Sequence, residues 1–183
     1  MQPLLILPLL AFLILLALFL LVLRRAGKFL AATRDVERFR RQVGDLGSRV
    51  ETSLGEVSAQ VDAVRRGQVG ADRLGDDLSA SLDAVARYAE EAKALRPPAA
   101  AIAIRREIIG ELERAARALE MVEHGRSIQT AARSGGRELE AQTSIKRGYL
   151  NILHAREAIA RQRQAAAELV VGDGPDRFQR RRA

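Results

Sequence analysis

Cysteine and tryptophan are both absent from the 183 residues, and aromatic side chains make up only 4% of the chain. Without thiols there is no disulfide scaffold, no thiolate metal site and no cysteine nucleophile. Scarce aromatics leave the core to Ala, Leu and Val, which suits packed helices better than a sandwich or a barrel. Histidine is limited to His124 and His154. Neither Glu120-Met121-Val122-Glu123-His124 nor His154-Ala155-Arg156-Glu157 has the Glu-x-x-His spacing of a di-iron bundle. No Ser/His/Asp grouping, phosphate-binding glycine loop or nucleotide fingerprint occurs. The expectation is therefore a non-enzymatic protein with no catalytic residues, no cofactor and no metal.

What is present is first a long apolar run. From Leu4 to Leu23 every residue is apolar except Pro8. As a helix this run spans about 30 Å at about 1.5 Å per residue, matching the hydrocarbon core of a bilayer. A cleaved signal peptide fits less well, because no charged segment precedes the run and no small-x-small site closes it. The run is expected to be a single transmembrane helix. Arg24, Arg25 and Lys28 follow it directly, and positive flanks stay cytoplasmic. This places residues 1–3 outside the inner (plasma) membrane and the rest of the chain on the cytoplasmic side. Residues 24–49 carry a net charge of +5, which also attracts anionic lipid. The dominance of Arg over Lys, with many Ala and Gly, points to a GC-rich bacterial genome.

The remainder reads as helix. Val36, Val43, Val50, Val57, Val64, Ala71, Leu78, Val85 and Ala92 recur at a strict period of seven. Such a stripe is the seam of a helix that packs on another helix in coiled-coil fashion. Gly67 and Gly70 mark a candidate turn, but the unbroken period favours one continuous helix to about Leu95. Pro97-Pro98 stops it, since proline cannot donate and restricts the residue before it. Further helices are expected at about 98–133 and 137–171, separated by Ser134-Gly135-Gly136.

The expected fold is all-α: a transmembrane helix over 4–23, a basic juxtamembrane stalk over 24–60, an antiparallel bundle over 61–171 and a basic tail over 172–183. Three bundle helices follow from a continuous first helix, and four follow if Gly67–Gly70 turns. In the three-helix arrangement the stalk stripe (Val36, Phe39, Val43, Leu46, Val50 and Val57) would face water in a monomer. It is therefore expected to pack on a second copy or on another membrane or helical protein. Arg24, Arg25 and Lys28 are the expected membrane-surface residues. Arg177, Arg180, Arg181 and Arg182 form a basic tail that suits anionic lipid. Nucleic acid is disfavoured, because the net +7 is spread over several segments without an aromatic platform. The expected function is a membrane-anchored helical scaffold or adaptor, with an accessory subunit of a larger transport or energy-converting complex as the alternative.

Overall fold

Four helices account for nearly all of the structure, a computed structural model that describes residues 3–131 and 136–170. They are α1 (Pro3–Arg65), α2 (Gly75–Ala94), α3 (Ile102–Ala131) and α4 (Glu138–Ala167), and no strand occurs among the described residues. The side chains of residues 3–14, 17 and 22–32 lie outside the description. So do Arg24, Arg25 and Lys28, and so does the tail from residue 171 onward. Among the described residues no helix is long and apolar enough to cross a membrane. Of the run 4–23 only Leu15, Leu16, Leu18, Phe19, Leu20 and Leu21 have described side chains, and all six are exposed.

The seven-residue stripe does not belong to one continuous helix. α1 ends at Arg65, where Gly67 takes φ +72°. The Gly67 N–H donates to the Val64 carbonyl and the Gln68 N–H to the Ala63 carbonyl, both at 2.9 Å. This pair of bonds is a Schellman cap, which satisfies the last carbonyls and needs a left-handed residue that glycine adopts without steric cost. After a short 3-10 turn over Ala71–Leu74, α2 starts with Asp76 and Asp77 in its first turn, where carboxylates face the positive end of the helix dipole. All nine stripe residues are nevertheless buried. Burial depends only on which face each helix turns inward, so a turn of suitable length keeps the numerical period across a reversal of direction.

Pro97-Pro98 breaks the chain as its chemistry requires. Pro98 is extended (φ −61°, ψ 161°) and its carbonyl accepts the Ala101 N–H at 2.8 Å as the next helix begins. The result is an up-down-up-down bundle. Arg49 of α1 pairs with Glu91 of α2, Arg105 of α3 donates to the Leu95 carbonyl after α2, and Arg163 of α4 pairs with Glu51 of α1 at 2.8 Å. Neighbours in sequence are thus neighbours in space, with α4 closing against α1. One core runs through all four helices, from Phe39 and Leu54 of α1 to Leu78, Leu112 and Ile152.

Candidate functional site

The residues expected to form an intermolecular stripe lie inside this core. Val36, Phe39, Val43, Leu46, Val50 and Val57 are all buried within one chain. A stalk separate from the bundle is thus corrected: α1 joins the bundle at Val36, not near residue 60. The physical reason is the turn at Gly67. With a fourth helix, α2 and α4 cover the apolar face of α1 that a three-helix arrangement would leave wet. The need for a second copy over this stripe disappears with it.

The closest packing is between α3 and α4. Ala118 and Gly125 recur at seven residues on α3, and Ala141, Gly148 and Ala155 do so on α4. A Cβ placed on Gly148 would lie 2.5 Å from Val122 Cγ2 and 2.7 Å from the Ala118 carbonyl oxygen. One on Gly125 would lie 2.7 Å from Ile145 Cγ1 and 2.8 Å from the Ala141 carbonyl oxygen. These two glycines let the helix backbones approach, and their cost in helix propensity is the condition for that contact. Glu111 lies seven residues before Ala118 and is buried as well. Its Oε2 stands 3.0 Å from Arg114 Nη1 but makes no hydrogen bond. A carboxylate in the small-residue row is not evident from sequence unless that row is first recognised.

On the outer side of this hairpin, Met121, His124, Leu139, Thr143, Ser144 and Arg147 line an open groove of about 570 Å³. Leu139 is 78% exposed, and Met121 and Leu150 are exposed too. The Ser144 hydroxyl donates to the Met121 carbonyl at 2.7 Å, fixing the groove floor. His124 lies in this groove and His154 is exposed on α4. No cluster of three or more His, Cys, Asp or Glu able to hold a metal occurs among the described residues.

Charge is unevenly distributed along the bundle. The end where α1 enters, hereafter the near end, also holds the α2–α3 connection and the last turn of α4. There the Arg40 guanidinium donates to the Ala167 carbonyl. A cleft of about 460 Å³ lies between Asp35, Arg38 and Gln42 of α1 and Arg96, Pro97 and Pro98 of the connection. Residues 34–42, 93–107 and 161–170 form this end and hold ten basic against four acidic side chains, a net of +6. The rest of the bundle, residues 43–92 and 108–160, holds thirteen basic against seventeen acidic, a net of −4.

Ion pairs elsewhere are mostly local and exposed. Two hydrogen bonds from Arg126, at 2.6 and 2.7 Å, hold the Glu123 carboxyl below its ordinary range. Arg137 does the same to Glu140 at the start of α4, and hydrogen bonds from Arg65, helped by Arg66, do so to Asp62 at the end of α1. These pairs bracket the far end of the bundle and clip helix termini. No protein family, characterised protein or solved structure matches the chain.

Proposed function

We propose that the protein is a membrane-anchored, non-enzymatic helical scaffold or adaptor at the cytoplasmic face of the membrane. The observation that carries this reading is the continuity of α1. One unbroken helix runs from Pro3, through the apolar residues 4–23, into the bundle core and on to Arg65. An apolar run of this length followed by Arg24, Arg25 and Lys28 supports a bilayer span with the bundle inside. A helix shared between anchor and bundle couples the position of the bundle directly to that of the anchoring segment, because no loop intervenes. The scaffold would then present the outer helix faces, since the Val36–Val57 stripe is occupied within the chain.

A second reading, an accessory subunit of a larger membrane complex, is favoured by exposed Met121, Leu139 and Leu150 on the α3–α4 hairpin. The absence of cysteine makes the test clean. A single cysteine at Ser79, an exposed position on α2, should be blocked by a membrane-impermeant maleimide only after the cells are opened. The protein should also resist alkaline extraction from membranes. Labelling in intact cells, or release by alkali, would overturn the anchored cytoplasmic reading. Affinity purification after in-cell cross-linking separates the two readings: exchangeable helical partners fit a scaffold, and one stoichiometric membrane partner fits a subunit.

A further inference from the structure

The outer faces of α2 and α4 carry opposite charge in the same pattern. On α2 the buried Leu78, Val85 and Ala92 recur at seven. The line turned furthest from them lies two residues away, at about 3.6 residues per turn. It runs through Asp76, Ala80, Asp83, Arg87 and Glu90, all exposed. On α4 the buried Ile145, Ile152 and Ile159 likewise leave Arg147, Leu150, His154, Glu157 and Arg161 outermost, and these too are exposed. From the far end to the near end, α2 thus presents acid, alanine, acid, arginine, acid. In the same direction α4 presents arginine, leucine, histidine, acid, arginine. Asp83, Arg87, Arg147 and His154 make no ion pair among the described residues. Arg161 reaches Glu157 only at 3.9 Å, and Glu90 shares Lys93 at 2.8 Å.

The two lines also stand at equal heights. α2 and α4 each pack on α1 and α3, which puts them at opposite corners of the bundle and running in the same direction. α1 serves as the ruler. Arg49 meets Glu91 and, at 5.6 Å, the Tyr88 ring of α2. On α4, Arg163 faces Gly47 and Arg156 faces Gly55. Counted along antiparallel helices from these contacts, Glu90 and Arg161 share the level of Arg49. Asp83 and His154 share that of Glu56, and Asp76 and Arg147 that of Ala63. Each match holds to within about two residues, roughly 3 Å. The path through α3, by Arg105 at the Leu95 carbonyl, Arg126 at Gly75 and Val122 at Gly148, gives the same levels to within about one turn.

We infer that copies of the chain associate side by side in the membrane, the outer face of α2 of one copy lying against the outer face of α4 of the next. The inference rests on the anchored reading above: a span shared through α1 holds all copies in one sense and at one height, so the two faces meet parallel and in register. Asp76 then opposes Arg147, Asp83 opposes His154, Arg87 opposes Glu157 and Glu90 opposes Arg161. Ala80 leaves room for Leu150, which is 43% exposed in the single chain. A slip of one turn in one direction sets Asp83 against Glu157 and Arg87 against Arg161. The opposite slip sets Glu90 against Glu157 and Arg87 against His154. The pattern therefore selects the register as well as the partner. Because α2 and α4 lie at opposite corners, the contact is heterologous and leaves one face of each kind free, so it propagates as a row. Each exposed pair contributes little alone, and confinement of the copies to one plane supplies the effective concentration that lets several weak pairs suffice.

The test uses the full-length chain, which has no cysteine of its own, in native membranes under a mild oxidant. Ala80→Cys with Leu150→Cys in one chain should give a ladder of linked dimers, trimers and longer species, because the two positions meet only between copies. Each single variant should stay monomeric. So should Ala80→Cys with Gln164→Cys, which stands about 21 Å out of register. Adding Arg147→Glu and Arg161→Glu to the first pair should cut the ladder at least about fivefold, and further adding Asp76→Arg and Glu90→Arg should restore it. A bundle that had merely lost stability would not be rescued in this way. A ladder that survives the charge reversal overturns the inference, as does a Leu150→Cys variant that links to itself or to one other protein. Alkaline extraction of the same membranes is scored separately. If the protein stays in the membrane and no ladder forms, only the association fails; if alkali releases it, the anchored reading fails and the inference with it.

Discussion

Replacing Gly148 by alanine should destabilise the protein, although the same change at Gly44 or Gly110 should stabilise it. In an open helix position, alanine is favoured over glycine by about 1 kcal/mol. Gly44 and Gly110 have no atom within 4 Å of an added Cβ, so each substitution keeps that gain. At Gly148 the new Cβ meets Val122 Cγ2 at 2.5 Å and the Ala118 carbonyl oxygen at 2.7 Å, where ordinary contact begins near 3.4 Å. The Val122 side chain has some freedom, but the carbonyl is backbone and does not rotate away. α3 and α4 must therefore separate by roughly 0.7–0.9 Å, which loosens the row from Ala118 to Ala155. Overpacking of this kind costs about 1–3 kcal/mol, and rigid backbone obstacles put it near the top of that range. The net is a loss of about 2 kcal/mol. For a bundle of this size that lowers Tm by roughly 6–10 °C, while Gly44→Ala and Gly110→Ala raise it by roughly 3–5 °C. Circular dichroism at 222 nm on the full-length protein in detergent measures all three. If Gly148→Ala stabilises as much as Gly44→Ala, the α3–α4 helices are not in close contact and the packing described above is wrong.

Three further outcomes follow from the same structure. Val43→Asp with Val50→Asp buries two carboxylates in the core, so cooperative unfolding of the whole bundle should be lost; a variant that only loses self-association while keeping its melting transition would contradict this. Glu111→Met should be neutral or stabilising by about 1–2 kcal/mol, because a buried carboxylate held by one arginine is replaced by apolar volume. Arg114→Ala should instead destabilise, as it leaves that carboxylate unpaired, and urea midpoints that reverse this order would refute the burial of Glu111. Because Glu123, Glu140 and Asp62 are held below their ordinary values, their contribution is complete above the unfolded-state value, near 4.5 for glutamate, and is lost as pH falls through the lower folded value. Unfolding midpoints should accordingly drop between about pH 6 and pH 3, and the drop should be shallower in Glu123→Gln with Glu140→Gln. An equal slope in the variant would show that these pairs do not link folding to pH.

The helical class, the break at Pro97-Pro98, the separation of α3 from α4, and the nine buried positions of the stripe were legible in the sequence, because period and proline chemistry are local signals; Ser134-Gly135 itself lies outside the described residues. The number of helices was not. A seven-residue period reports which face is buried in each helix and is blind to a reversal between them, so the cap at Gly67 left it intact from Val64 to Ala71. From that single turn follow the burial of Val36–Val57 within the chain and the return of α4 to the near end. The α3–α4 contact was written in the sequence as Ala118 and Gly125 on α3 and Ala141, Gly148 and Ala155 on α4, spaced by seven within each helix. Glycine lowers helix propensity, however, so Gly125 and Gly148 pass as weak points until the facing helix is known. The positive near end was hidden for a similar reason: its three segments are far apart in sequence and only the four-helix path brings them together.

α1 closes against α4 of its own chain. A Cβ on Gly47 would lie 3.5 Å from the Cβ of Arg163, within the separation that a disulfide requires. The most direct measurement is oxidation of the Gly47→Cys, Arg163→Cys double variant in native membranes, read by non-reducing gel and by mass spectrometry of the linked peptides. An efficient cross-link at monomer size is the expected result. Dimer-sized species linked between chains, or two thiols that stay free under oxidation, would contradict it and return the Val36–Val57 stripe to an intermolecular role.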